Sequence, residues 1–411
     1  MTQRKFKRKR SQDPNLTRII LVICVVLAAG YGGFRLFGGD RQEEAEAARY
    51  SHIEKARDLV AASAFAEARA VLAPMVAQET NSRVTPEALA LMAKVEEEEG
   101  NPDAAITRLQ QLIDQYPTAP ERPEAMLELA ALLRDAGNEE QATQYYKEVE
   151  KNTPPDIRAA ALVGLAQEAE RRGNVDAARA QYRQAAQDAL FGSPSHDAAI
   201  DALGKLNVAR VFARGQTPDS KVYSVEPGDN LTSIGIKLNT TQGLLMRANG
   251  IEDPSRLRVG QRLKWTPKDF QIVIDRTHCK LYLLDSDGIF KRYKVGLGKP
   301  GYETTLGKYK IGNKEKHPTW FKPGAGPIPS GDPRNELGTR WMPLVPVEEG
   351  LPKDLGIHGT IDPETIGYHS SHGCARLYPA AVEELYDLVV RSTPVEIVEE
   401  YQPDEHAIAA Q

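Results

Sequence analysis

The sequence predicts a multidomain α+β chain, and three observations carry that reading. A basic and then apolar stretch opens it. An alanine-rich segment with a repeating, helical pattern follows. The C-terminal part alternates short apolar runs with glycine and proline turns. At 411 residues the chain exceeds one compact domain and implies two to four. A hydrophobic content of 41% is that of a folded rather than a disordered protein. The net charge of -5 excludes a globally basic nucleic-acid binder, so no nucleic-acid partner is expected.

That balance hides a local asymmetry. Residues 1–18 begin with Arg4, Lys5, Lys7, Arg8, Lys9 and Arg10 and read as a cytoplasmic tail. Ile19 to Leu27 is an unbroken apolar run, extended through Phe37 by small and apolar residues. The segment 19–37 falls within the roughly 17–25 residues needed to span a bilayer. It predicts a single-pass transmembrane helix acting as a signal anchor, with the rest of the chain exported to the periplasm or cell envelope. A cleaved signal peptide is the alternative. A lipoprotein signal fits poorly, because bulky Ile23 precedes Cys24. With only Cys24, Cys279 and Cys374 there is neither a disulfide framework nor a zinc pattern, and no metal or cofactor is expected.

Residues 43–215 carry a repeat. Gly100-Asn101 with Ala104-Ala105, Gly137-Asn138 with Ala142, and Gly173-Asn174 with Ala177-Ala178 recur at 37 and then 36 residues (100 to 137 to 173). Each Gly-Asn is expected to end a helix and each alanine to let the next helix pack closely. Leu109, Tyr145-Tyr146 and Tyr182 follow at matching places, and Pro117, Pro154 and Pro194 are expected to close the units. Ser63 to Ala68 marks a weaker first unit. The pattern resembles tetratricopeptide repeats, an all-α solenoid that either binds a protein partner or spaces distal domains from the membrane.

After a polar linker, residues 221–267 read as strand, two helices and strand. Tyr223-x-Val225-x-x-Gly228-Asp229-x-Leu231-x-x-Ile234, Asn249 and Leu257-x-x-Gly260-Gln261-x-Leu263 resemble a LysM domain of βααβ form. That resemblance implies binding of peptidoglycan glycan strands. Gly235 stands where the family usually has alanine.

Residues 270–399 change character again. Gln271–Asp275 and Lys280–Leu284 read as strands, Asp285-Ser286-Asp287-Gly288 as a hairpin turn and Phe290–Val295 as the return strand. Ala380–Arg391 has a helical face, Val395–Val398 is a last strand, and 400–411 is a tail. One cysteine, Cys374, lies beside His372, Gly373 and Arg376, with His358 a loop upstream. A thiol needs a base or a positive field to become a nucleophile, and these residues supply both. Gly373 permits a close backbone approach, suited to an oxyanion site of amide N–H groups.

His358-Gly359-Thr360 followed by Ser371-His372-Gly373-Cys374-x-Arg376-Leu377 resembles the active-site signature of the L,D-transpeptidase (YkuD) catalytic domain, a mainly-β fold. Leu306-Gly307-x-Tyr309-x-Ile311, Gly331-Asp332-Pro333 and Asn335-x-Leu337-Gly338-Thr339-Arg340-Trp341 support it. The resemblance implies that Cys374 is the nucleophile and His358 its proton acceptor, oriented through the carbonyl of Gly359. It further implies an oxyanion hole from the Cys374 amide with that of Gly373 or His372, and substrate contacts from Ser371, His372, Gly373 and Arg376. Ala375 and Glu336 depart from the usual larger apolar residue and proline. Trp320 and Trp341 read equally as substrate platforms or core; Cys279 reads as a small strand residue and His278 and His317 as surface residues.

The implied activity is peptidoglycan cross-linking between stem peptides through a cysteine acyl-enzyme. An L,D-carboxypeptidase or a hydrolase that detaches wall-bound proteins would use the same scaffold. A non-catalytic glycan-binding scaffold is the rival of another class.

Overall fold

The computed structural model describes residues 46–77, 83–322, 324 and 326–403. The apolar segment 19–37 and most of the tail from residue 400 lie outside these. Among the described residues no helix is long and apolar enough to cross a membrane. Residues up to Thr153 form one compact unit and those from Pro154 a second.

The first unit is helical: α1 (46–61), α2 (Phe65–Ala77), α3 (Thr85–Glu98), α4 (Pro102–Gln115), α5 (Arg122–Asp135) and α6 (Glu139–Asn152). The Gly-Asn signal acts as expected. Gly100 and Gly137 take φ of +79° and +84°, and the next N–H groups, of Asn101 and Asn138, return to Glu96 O and Leu133 O at 2.8 Å. In the weak first unit Ser63 adopts the same left-handed conformation, φ +57°, without a glycine. Ala105, Leu109, Ala142 and Tyr146 are buried where the helices cross.

The expectation that prolines close the units holds for Pro117, which directly follows the C-cap of α4, and is corrected for the other two. Pro154 and Pro194 stand at the start of helices, where the missing N–H costs nothing and the fixed φ suits the first turn.

The second unit starts with α7 (Pro155–Arg171), α8 (Val175–Asp188) and α9 (Pro194–Phe212), and these do not end as a free array. Asn207 on α9 donates through Nδ2 to Phe290 O at 2.9 Å, and Arg292 bonds Asp201 at 2.9 Å and also Asp197. Val208 and Val211 enter the same core as the catalytic sheet.

The segment resembling LysM has the expected order: β1 (Lys221–Ser224), α10 (Leu231–Lys237), α11 (Gln242–Asn249) and β2 (Arg262–Trp265), the strands antiparallel. A capping box of Asn230 and Ser233 starts α10. Asn249 pins α11 to β2, donating to Lys264 O at 2.9 Å and accepting from Lys264 N at 2.7 Å. Lys264 Nζ then bonds the carbonyls of Ala213 and Arg210 at the end of α9, at 2.7 and 3.1 Å. Leu244 and Ala248 of α11 join the core of the C-terminal sheet, and Asp387 O accepts from the Thr241 hydroxyl. The βααβ segment and the C-terminal sheet are therefore packed as one body.

The C-terminal part is built on a sheet of order β14-β12-β11-β7-β15-β3-β4-β5, with β8 (Glu315–Lys316) on β11. The expected strands are β3 (Gln271–Asp275), β4 (Lys280–Asp285) and β5 (Gly288–Lys294). The remaining members are β7 (Gly307–Ile311), β11 (Arg340–Pro346), β12 (Gly356–His358) and β14 (Ala375–Arg376). β15 (Pro394–Val398) does not close an edge; it lies between β7 and β3, antiparallel to one and parallel to the other.

Two further expectations change. The last helix, α12, runs Pro379–Leu388 rather than to Arg391, because Lys314 Nζ takes the carbonyls of Tyr386 and Val389 at 2.6 and 2.5 Å. The tail does not begin at 400, since Tyr401 is buried, stacks on Tyr282 with ring centroids 4.2 Å apart and donates its N–H to Asp275.

Gly235 has a local reason. A Cβ there would lie 2.9 Å from Thr240 O, a backbone atom that cannot swing away. Gly235→Ala, although alanine is the usual family residue, is expected to destabilise the chain by about 1–3 kcal/mol. A thermal or denaturant midpoint equal to that of the wild type would refute this.

Candidate active site

Three neighbouring strands place the site residues in a row. Trp341 on β11 pairs with His358 on β12 in antiparallel register, and His358 pairs with Arg376 on β14 in parallel register. Directly paired residues share a face of the sheet, so Trp341, His358 and Arg376 point to one side. Cys374, in the loop just before β14, lines the same cavity as these side chains. Gly356, two before His358, leaves room for the Trp341 ring; a Cβ there would sit 2.2 Å from the indole.

These side chains open into a cavity of about 530 Å³. Cys374, His358, Arg376, Ser371, His372, Trp341 and Trp320 all line it, so the two tryptophans resolve as walls of the cavity. Acidic Glu315, Glu336 and Asp354 share the lining and were not singled out from sequence as cavity residues. The short hairpin of β9 (Trp320–Phe321) and β10 (Pro327–Ile328) forms part of the wall. Asn335, buried, holds its base by donating to Pro318 O at 2.9 Å and Ile328 O at 3.1 Å. Glu336, where the resembled family has proline, pairs with Lys322 at 3.5 Å.

Not every expected contact residue faces the cavity. Gly373 is buried with φ +116°, and its N–H donates to Ser371 Oγ at 3.1 Å. Ser371 Oγ also donates to Cys374 O at 2.7 Å. Ser371 and Gly373 thus build the loop rather than present free polar groups, and Gly373 drops out as an oxyanion donor. The N–H groups of His372 and Cys374 have no hydrogen-bond partner among the described residues. His372 is exposed, its ring edge-on to Tyr302 at 4.9 Å.

His358 is buried, and its Nδ1 lies 2.7 Å from Gly359 O. That contact fixes Nδ1 as the N–H donor and leaves Nε2 as the acceptor. Burial pushes the imidazole down to about 4, more than the Gly359 and Glu336 carbonyls raise it, with Arg376 also lowering it. The ring is a neutral base at pH 7. Burial likewise pushes the Cys374 thiol up to about 11, against the Gly356 amide and Arg376, which favour the thiolate. The thiol donates to Asp354 O at 3.7 Å and makes no hydrogen bond to His358. The resting pair is therefore thiol and neutral imidazole.

Cys279 is no strand residue. It sits in the β3–β4 turn with φ +50°, buried, Sγ 3.5 Å from His369 Nε2. His278 is exposed as expected but bonds Asp275 at 2.9 Å.

Residues 269–397 match the family model of the L,D-transpeptidase catalytic domain (YkuD), 223–266 that of the LysM domain and 90–157 that of a tetratricopeptide repeat. A candidate L,D-transpeptidase of Bacillus licheniformis, YkuD, is 28% identical over 182 residues, 43% of this chain and 98% of the relative. Another candidate L,D-transpeptidase, YqjB of Bacillus subtilis, is 27% identical over 135 residues, 33% of this chain and 74% of its own. The solved catalytic domain of the Enterococcus faecium L,D-transpeptidase is 24% identical over 32% of this chain and 97% of that one, with a TM-score of 0.26. The chain spans half the length of a crystallised mutant of the E. faecium enzyme, at 23% identity over 32% of this chain and a TM-score of 0.26.

A thiol held near 11 predicts a simple pH profile. Iodoacetamide alkylation of Cys374, read by peptide mapping, should rise about tenfold per pH unit between roughly 7 and 10. A plateau beginning near neutral pH would show a preformed thiolate–imidazolium pair and refute the resting state described above.

Proposed function

We propose that this chain, which carries an L,D-transpeptidase catalytic domain behind a LysM domain and tetratricopeptide repeats, cross-links peptidoglycan through an acyl-enzyme on Cys374. The observation that carries the reading is the convergence of Cys374, His358 and Arg376 on one cavity inside the segment that matches that family. The acyl donor is a stem peptide, cleaved after its diamino acid; the acceptor is the amine of a second stem.

The chain's own groups suffice for each proton. His358 Nε2 takes the thiol proton as Cys374 Sγ bonds the donor carbonyl carbon. The oxyanion is received by the His372 and Cys374 N–H groups. Collapse to the thioester breaks the amide bond, and the leaving D-alanine amine takes the proton from His358. The acceptor amine then attacks the thioester, His358 removes its proton, and Cys374 departs as thiol. Because neither residue is charged at rest, proton transfer accompanies attack instead of preceding it. Arg376 offers a fixed positive charge to a substrate carboxylate or carbonyl, with Trp341 and Trp320 as apolar walls.

The apolar segment 19–37 anchors the chain in the cell membrane in this reading, with the catalytic domain in the periplasm or envelope. The LysM domain holds glycan strands, raising the local concentration of stems. The repeats offer a surface for a protein partner.

Purified muropeptides incubated with wild-type protein should give 3-3 cross-linked dimers and, by mass spectrometry, an acyl adduct on Cys374. Cys374→Ala should abolish both, and His358→Gln should slow acylation by roughly 10²–10⁴. Trimmed tripeptides without dimers would replace cross-linking by hydrolysis. No adduct and no product would leave a glycan-binding scaffold.

A further inference from the structure

We propose that Thr304 is a positioning residue for the oxyanion site, acting through the backbone of the cysteine loop. Thr304 precedes β7, far from the signature residues in sequence, and only 1% of it is exposed. Its hydroxyl accepts from Gly298 N–H at 3.0 Å and donates to Gly373 O at 2.8 Å, both bonds buried. Gly298 lies on β6 (Leu297–Gly298), which pairs with β13 (His369–Ser371), the strand leading into the cysteine loop. With its oxygen engaged by one amide, the hydroxyl hydrogen is directed at a single acceptor. The relay therefore has one direction, Gly298 N–H to Thr304 O–H to Gly373 C=O.

Its consequence lies on the other side of one peptide bond. Gly373 C=O and Cys374 N–H belong to the same planar unit, and no cis peptide bond occurs among the described residues. In a trans unit the two dipoles point opposite ways. Holding Gly373 O toward the buried Thr304 therefore turns Cys374 N–H away from it, without a partner among the described residues. Ser371 fixes the next peptide by donating to Cys374 O. Both planes flanking the cysteine are pinned from the protein side. This matters because Gly373, at φ +116°, lies where glycine has unusual rotational freedom. Without Thr304 that peptide is free to turn over.

The inference rests on the acyl-transfer reading in needing an oxyanion, but not on the identity of the acyl donor. It separates two reactions of one thiol. Acylation by p-nitrophenyl acetate passes through a tetrahedral oxyanion; alkylation by iodoacetamide does not. Each rate is measured on the full chain, with Cys374→Ala subtracted as background. Thr304→Val keeps the side-chain volume and removes both hydrogen bonds. It should slow acylation by roughly 10- to 100-fold, on the scale of losing one oxyanion donor, with alkylation unchanged. Thr304→Ser should restore acylation. Equal loss in both reactions, or no loss in acylation, would overturn the assignment. The thermal midpoint of each variant separates general unfolding from the local effect, and Thr304→Ser supplies the folded comparison should Thr304→Val fail to fold. Stem-peptide turnover by the wild type is scored separately. Its absence would remove the proposed substrate while leaving the ester comparison intact.

Discussion

The parallel pairing of β12 with β14 is the constraint on which the site depends. Parallel neighbours cannot be joined by a tight turn, so the chain between His358 and Ala375 must leave the sheet and return. The returning loop carries Cys374 into register with the strand that ends in His358. If that register slipped by one residue, every side chain on β14 would change face and the cysteine would leave the cavity. The loop is held accordingly at several points: β13 against β6, Ser371 within the loop, and Thr304 from the segment that leads into β7. None of these contacts is chemical in role, yet each decides where the thiol and its amide point.

The same argument extends outward through the second unit. α9, α11 and the sheet contribute to one apolar core, and Asn207, Lys264 and Asp387 tie their ends together by hydrogen bonds. A LysM fold mounted this way has little freedom to reorient relative to the cavity. Under the proposed function, where a flexible tether would raise local concentration over a sphere of positions, this rigid mount would favour stems whose glycan runs in one direction past the site.

The sequence was legible where a signal is local. Capping residues, helical periodicity and turn glycines mark the repeats and the βααβ segment because each acts within a few positions. The signature around Cys374 was legible because several polar residues crowd one short stretch. The central place of β15 was not, since pairing with β3 and β7 leaves no mark on the strand's own residues. Thr304 was invisible for the same reason, being about 70 residues from its acceptor. Pro154 and Pro194 misled because a proline between two helices can belong to the start of the second as well as to the end of the first. Lys314 shortened α12 from a distance by claiming its last carbonyls.

Burial explains the chemistry as well as the fold. Burial by the surrounding protein raises the thiol and lowers the imidazole, so the resting site holds two neutral groups instead of an ion pair. This costs resting reactivity, since little thiolate is present at neutral pH. The compensation is selectivity. Under the proposed acyl transfer, charge would appear only when a carbonyl occupies the site and the oxyanion meets fixed N–H dipoles, which act strongly where water is scarce. In that proposed reaction, stabilisation reserved for the transition state would accelerate attack on a bound stem without making the thiol a general target for electrophiles. Under the proposed acyl transfer, the backbone braces around Cys374 would then belong to the catalytic apparatus: with no preformed thiolate, the orientation of the amides would carry a larger share of the rate.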